Sequence, residues 1–201
     1  MRLLYCKGET SVLDQKEILG IFRETKVLRD GHFRLTSGRH SRQYMQCAQV
    51  LQYPKFTERL CEDLARRFKG QELHAVVAPA IGGIIIAYEV AKVLGVRALF
   101  TEREDGKMTF RRGFELDDDE NVLIVEDVIT TGGSVLEVME AVKERGANVC
   151  GVGILVDRSG GKVHFGVKKE ALLTMEIETW DPEECPLCKE GIPIVKPGSH
   201  K

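Results

Sequence analysis

The sequence predicts an α/β fold built on a mainly parallel sheet flanked by helices. Three observations carry this. From residue 74 onward, short runs rich in Val, Ile and Leu (HAVVAP, VRALFTE, NVLIVED and NVCGVGILVD) recur with helix-like segments (IIIAYEVAKVLG and SVLEVMEAVKERG) between them. The runs are apolar throughout rather than alternating, which suits strands covered on both faces. Two of the strand-to-helix transitions, PAIGG at 79–83 and TTGGS at 130–134, carry the small residues that a tight turn between strand and helix requires.

The elements before residue 74 follow from periodicity. Residues 11–29 place Val12, Ile18, Leu19, Phe22 and Val27 at near-helical spacing with charges between them, and predict a first helix. GHFRLTSGRHSRQYMQC, at 31–47, alternates weakly around Gly31 and Ser37-Gly38 and predicts a hairpin. PKFTERLCEDLARRFK, at 54–69, opens on proline and repeats Phe56, Leu60, Leu64 and Phe68 every fourth residue, a second helix. The charged stretch EREDGKMTFRRGFELDDDE, at 102–120, is almost free of aliphatics and predicts a long mobile loop with room for a short hairpin. The last segment, about 181–201, carries four prolines and predicts an irregular tail partly packed on the body.

Bulk properties narrow the function. A chain of 201 residues with 43% hydrophobic content buries a sizeable core and suits one domain spanning 1–201. A net charge of −2 gives no global basic field, so nucleic acid held by bulk phosphate attraction is not expected. No run approaches the ~18 apolar residues of a membrane span, and MRLLYCKGETSVLDQ lacks the apolar segment of a secretory signal. The expectation is a cytoplasmic protein with reduced thiols at its six cysteines. Cys185 and Cys188 form CPLC, the spacing of half a zinc site. A closed site needs about four ligands, no second close Cys or His pair accompanies it, and His200 lies in the tail; the expectation is a plain turn.

The chemistry concentrates at 126–134. In a doubly wound sheet, ligands bind beyond the carboxyl ends of the strands, and NVLIVED ends there. Thr130, Thr131, Gly132, Gly133 and Ser134 then offer backbone amides at a helix N-terminus, an anion cradle with hydroxyl donors besides. Glu126 and Asp127 would repel a phosphate, so they serve another part of the ligand. Carboxylates about one sugar length from the cradle accept hydrogen bonds from vicinal hydroxyls. Acids and cradle together describe a ribose 5-phosphate site.

VLIVEDVITTGGS resembles the phosphoribosyl pyrophosphate (PRPP) motif of type I phosphoribosyltransferases, and in detail that of the orotate phosphoribosyltransferase family. GHFRLTSGRHS is similar to the family's N-terminal substrate-binding segment, VVAPAIGG to its pyrophosphate loop and LVDRSGG, at 155–161, to the strand end whose arginine meets orotate. The resemblance implies a type I phosphoribosyltransferase-like core, a small N-terminal hood, a mobile catalytic loop and a homodimer. It implies that Glu126 and Asp127 hold the ribose diol, that Val128 and Ile129 lead into the 5-phosphate cradle of Thr130 to Ser134, and that Ile81, Gly82 and Gly83 meet the pyrophosphate. Thr130 and Arg158 would face orotate, and Mg2+ would be held mainly by PRPP itself. The chain departs from the family pattern in two places. The pyrophosphate loop has no lysine, and the mobile loop offers Arg103, Lys107, Arg111 and Arg112 with no histidine anywhere from 75 to 163. Arg103 and Lys107 are assigned to the pyrophosphate, which needs cations. The reaction implied is transfer of the 5-phosphoribosyl group from PRPP to orotate, giving orotidine 5-monophosphate and pyrophosphate in UMP biosynthesis. Two other readings stand beside it: a phosphoribosyltransferase acting on xanthine or adenine, and a non-catalytic PRPP-sensing regulator.

Overall fold

The computed structural model of the chain describes residues 12–35 and 37–197. Cys6 and the last residues of the tail, His200 among them, lie outside the described residues. In chain order the elements are α1 (Gln15–Glu24), β1 (Leu28–Arg34), β2 (His40–Met45), α2 (Ala48–Leu51), α3 (Pro54–Arg66), β3 (Ala75–Pro79), α4 (Gly82–Leu94), β4 (Arg97–Glu104), β5 (Lys107–Phe110), β6 (Asn121–Ile129), α5 (Gly133–Lys143), β7 (Asn148–Asp157), β8 (Lys168–Thr174), β9 (Thr179–Trp180) and α6 (Pro186–Lys189).

The first helix is shorter than residues 11–29. Asp14 and Glu17 start it with a reciprocal capping box, each side chain accepting from the other's backbone N–H at 2.8 Å. It ends at Thr25, and Lys26 turns the chain at φ 59°. Ile18 and Phe22 are its buried face, whereas Val12 is exposed and Val27 is buried at the entry to β1. The 31–47 hairpin forms as β1 and β2, antiparallel with a bulge between Asp30 and Phe33. Strand β9 adds to β2, giving a small three-stranded hood sheet ordered β1-β2-β9. In α3, Leu60 and Leu64 are fully buried and Phe68 closes the same stripe just past the helix.

The main sheet has the order β5-β4-β3-β6-β7-β8, parallel except for the antiparallel edge strand β5. Its alternating residues feed two cores. Val76, Ala78, Leu123 and Val125 face α1, α3 and α4, while Ala75, Val77, Val122 and Ile124 face Val135, Val138 and Val142 of α5. At roughly 1.5–3 kcal/mol for each large aliphatic removed from water, these two layers fix the strand ends in space. Strand β8 is an edge strand that the sequence reading did not separate from its surroundings.

One expectation is sharpened and one corrected here. The stretch 102–120 carries, in its first part, the short hairpin for which the sequence left room: β4 continues to Glu104, Asp105 and Gly106 turn at φ 49° and 84°, and β5 returns. The reason is the alternation in Lys107-Met108-Thr109-Phe110, which buries Met108 and Phe110 in the α5 core. The second concerns CPLC. The tail folds back on the hood, with Val195 bridging Phe33 and Cys185 and Leu187 buried, and this sets Cys185 and Cys188 against His32 and His40 rather than in an isolated turn.

Candidate active site

The strand order, not the strand direction, reverses between the parallel neighbours β3 and β6: the helix after β3 covers one face and the helix after β6 the other. A crevice therefore opens at the carboxyl ends of these two strands, the position where doubly wound sheets bind ligands. Both glycine-rich turns lie there, PAIGG after β3 and TTGGS after β6.

The second turn forms a depression of about 270 Å³ lined by Glu126, Val128, Ile129, Thr130, Thr131, Gly132, Gly133 and Ser134, with Val135 and Glu137 completing it. Gly132 makes the turn possible. It sits at φ 78°, and a Cβ there would lie 2.8 Å from Val163 Cγ1 and 2.9 Å from Phe165 Cε1. From that left-handed residue the chain enters α5, and the N–H of Leu136 closes the first helical bond on Gly132 O at 3.0 Å. The amides of Gly133, Ser134 and Val135 thus have no partner within the helix and point out of its N-terminus, where the dipole favours an anion. No side chain caps them.

Glu126 opens onto this depression while being almost fully buried, and its Oε1 accepts from the Asp127 N–H at 3.1 Å. Burial first, and the neighbouring Asp127 charge second, push the Glu126 carboxyl up to about 8. Burial also raises Asp127. The ligand-free pair therefore retains a proton at neutral pH. Asp127 does not line the cradle. It turns toward the other loop, where its Oδ2 lies 2.9 Å from the place a Cβ on Gly82 would take. The carboxylate thus packs on the bare backbone at the start of α4, and Gly82 must lack a side chain for it to do so. The same loop begins at Ala80, whose N–H is held by Thr101 O at 2.8 Å, and leaves Ile81 standing in solvent. One acid therefore belongs to the cradle side and one to the second loop, joined through the strand end.

Arg158 follows β7, and its backbone N–H donates to Ile129 O at 2.9 Å, tying it to the end of β6. Its guanidinium is largely buried, which lowers its pKa, and it lies near Tyr44 and Cys47 of the hood. Its Nε has no hydrogen-bond partner among the described residues. A buried, unsatisfied cationic donor is costly, and an anionic, planar ligand group would satisfy it. The turn carrying it is held from behind: Asp157 Oδ1 accepts from Ser159 N and Oγ at 2.8 and 2.6 Å, and Lys169 Nζ pairs with Asp157 Oδ2 at 2.7 Å. Tyr44, Asp157 and Lys169 escaped sequence reasoning, because nothing in their local pattern ties the hood to β7.

The hairpin cations are all paired. Arg103 donates to Glu137 Oε2 at 2.5 Å and to Gly106 O at 2.6 Å, Lys107 to Glu144 Oε1 at 2.6 Å, and Arg112 to both oxygens of Glu102 at 2.8 Å; Arg111 lies 3.4 Å from Glu104. Glu137 is on the cradle rim, so Arg103 is within one helical turn of the site. Lys107 is not: Glu144 lies past the far end of α5, ~16 Å from Gly133 at 1.5 Å per residue. The structure brings Arg103 to the site of its own chain and leaves Lys107 away from it.

Comparison with known proteins agrees with this geometry. The phosphoribosyl transferase domain model matches residues 49–182. The orotate phosphoribosyltransferase of Pelotomaculum thermopropionicum is 60% identical over 94% of this chain and 100% of its own length, and that of Desulforamulus reducens 59% identical over 94% and 99%. The crystal structure of orotate phosphoribosyltransferase from Aeropyrum pernix is 26% identical, covers 78% of this chain and 93% of its own, and superposes with a TM-score of 0.63. With an amide cradle and a buried acid at the sheet's switch point and a matching family model across most of the fold, the chain belongs to the phosphoribosyltransferase family.

Proposed function

We propose that the protein transfers the 5-phosphoribosyl group of PRPP to orotate, forming orotidine 5-monophosphate and pyrophosphate. The observation that carries the donor is the single depression in which Glu126 faces the free amides of Gly133 to Val135: hydroxyls at one end, phosphate at the other. The acceptor rests on Arg158, whose unpartnered buried Nε suits the orotate carboxylate, and on the near full-length similarity to relatives named for that reaction.

In this reading the 5-phosphate sits on the α5 N-terminus, Thr130, Thr131 and Ser134 adding hydroxyl donors. Glu126 and Asp127 hold the ribose diol, and the diol hydrogens replace the proton the ligand-free pair shares. The donor set suits Mg2+ as well. Two carboxylates beside a diol and a pyrophosphate offer the hard oxygens it prefers, and the ion supplies neutralisation of leaving-group charge. Gly82 and Gly83 meet the pyrophosphate from the start of α4, where Gly82 leaves room for the Asp127 carboxylate and Gly83 lets the helix pack on Ala78. Arg103 exchanges Glu137 for the pyrophosphate at small cost, since an exposed ion pair is worth ~0–1 kcal/mol. Lys107 reaches a site through a neighbouring subunit, which makes the working form a homodimer. No side chain attacks the sugar: the C1–oxygen bond to pyrophosphate breaks, N1 of orotate forms the new bond, and the protein positions both and keeps water out.

Incubation of the protein with PRPP, Mg2+ and separate orotate, adenine, xanthine and uracil, read by pyrophosphate release, tests the proposal. Release with orotate alone is expected. Release driven by a purine, or by no base, would replace it.

A further inference from the structure

We infer that His32, His40, Cys185 and Cys188 form a structural zinc site that fastens the tail to the hood. The four ligand atoms, His32 Nε2, His40 Nδ1 and the two Sγ atoms, lie within 4.8 Å of one another. Four of their six separations match the edges of a coordination tetrahedron, and the other two, from Cys185 to His40 and to Cys188, are no longer than 4.8 Å. With Zn–N near ~2.05 Å and Zn–S near ~2.3 Å, ideal edges are ~3.3 Å for N to N and ~3.6 Å for S to N. The structure has 3.2 Å between the two ring nitrogens, 3.5 and 3.8 Å from His32 to the sulfurs of Cys185 and Cys188, and 3.3 Å from His40 to Cys188.

The surroundings fit a site closed on three sides: His32, His40 and Cys185 are buried, and Cys188 forms its exposed rim. His32 Nδ1 donates to Ile192 O at 2.8 Å, which fixes the tautomer with a lone pair on Nε2, the nitrogen facing the cluster. The Ile192 carbonyl comes from the same tail segment as the cysteines, so the orienting bond and the ligands belong to one docked unit. Four protein ligands leave no open position, so the ion would be structural rather than catalytic. Two sulfurs with two imidazoles select zinc over magnesium or calcium. Binding forms two Zn–N and two Zn–thiolate bonds, and the thiol protons leave to solvent.

The position gives the site a purpose. β1 and β2 carry the histidines, and the hood also brings Tyr44 and Cys47 near Arg158. Residues 181–197 otherwise hold this sheet through few bonds: the Phe33–Val195 bridge and the Arg39 bond to Asp181 at 2.8 Å. A zinc ion would cross-link segments about 150 residues apart in sequence and stiffen the wall behind the arginine.

The experiment uses the full, untagged, reduced chain. Protein grown with added zinc and freed of loose metal on a chelating resin is analysed for zinc, iron and nickel, together with the variants Cys188→Ser and Cys150→Ser. About one zinc per chain is expected in the wild type and in Cys150→Ser, and a loss of most of it in Cys188→Ser. Cobalt(II) added to the stripped wild type should give the intense visible bands of a tetrahedral ion with thiolate charge transfer, bleached by zinc. Stripping should also lower the melting temperature and speed proteolysis between 181 and 197, both reversed by zinc alone. Folded protein with no zinc, zinc undiminished in Cys188→Ser, iron in its place, or a weak octahedral cobalt spectrum would each overturn the inference. If Cys188→Ser fails to fold, the wild-type cobalt spectrum decides by itself.

Discussion

Replacing Glu126 by Gln should make the ligand-free protein more stable while removing its use of PRPP. The carboxyl is 7% exposed and lies beside Asp127, and the two effects raise it from its ordinary 4.5 to about 8. The native state therefore keeps a proton that the unfolded chain releases above pH ~4.5. With more protons bound by the native state, stability is highest below the unfolded pKa and falls as pH rises through that window toward 8. At ~1.4 kcal/mol per pH unit, the ceiling is ~5 kcal/mol. Because Asp127 competes for the same proton, part of the slope survives in the variant, and ~2–4 kcal/mol of difference is expected. Glutamine cannot ionise, so the profile of Glu126→Gln should be flatter, its advantage over the wild type growing from pH ~4.5 toward 8. Urea unfolding at fixed chain concentration, followed by Trp180 fluorescence and far-ultraviolet circular dichroism at pH 5, 6, 7 and 8, measures it. Wild-type and variant profiles that run parallel within ~0.5 kcal/mol would refute the claim that Glu126 is held against its charge. The same logic makes the KM for PRPP fall as pH rises from 6 to 8, since the diol is bound by the deprotonated pair.

Arg158→Gln should raise the KM for orotate by ~100-fold, a loss of ~3 kcal/mol from one charge-assisted pair, leave the KM for PRPP within a few-fold, and not lower the ligand-free melting temperature. A marked drop in that temperature would show the guanidinium to be structural. Gly132→Ala forces a methyl to within 2.8 Å of Val163 at φ 78°. It should cost ~2–4 kcal/mol, lowering the melting temperature by several degrees and PRPP binding with it; a melting temperature within 1 °C of wild type on calorimetry would show that the loop yields. If Lys107 serves a neighbour's site, equal mixtures of the Lys107→Ala and Asp127→Asn chains, unfolded and refolded together, should recover about a quarter of wild-type turnover, because half the random dimers have one intact site. No recovery, with heterodimers verified by mass spectrometry, would assign Lys107 to its own chain or to none.

What was legible in the sequence follows from how local each signal is. The parallel strands β3, β6 and β7 are buried on both faces, so their composition alone announces them. Helix α3 repeats a buried residue every fourth position and needs no tertiary knowledge. β8 lacked such a signal: it is an edge strand whose Lys168 and Lys169 at the start and Leu172 and Leu173 at the end suit helix, strand or loop equally, and pairing with β7 decides it. The hairpin β4–β5 was masked by charge. Arg103, Lys107, Arg111 and Arg112 crowd the stretch and pair with carboxylates of the hairpin or of α5 and its end, while two buried residues, Met108 and Phe110, set its register.

The site divides the same way. Glu126 through Ser134 are contiguous, so their convergence on one depression was readable from the strand end and the glycines. That Asp127 faces Gly82 required the sheet order, which places β6 next to β3; the strand period of two then turns adjacent acids to different loops. The cluster of His32, His40, Cys185 and Cys188 was the least readable. Its two halves lie at opposite ends of the chain, and each half alone is an ordinary pair. They meet because β9 pairs with β2 and so returns the tail along the hood, a long-range choice made by backbone bonds between His40 and Trp180 and between Ser41 and Thr179. Local patterns thus report chemistry built on one element. Chemistry shared between distant elements becomes visible when pairing is known, and in this chain it brings His32 and His40 of the hood to Cys185 and Cys188 of the tail.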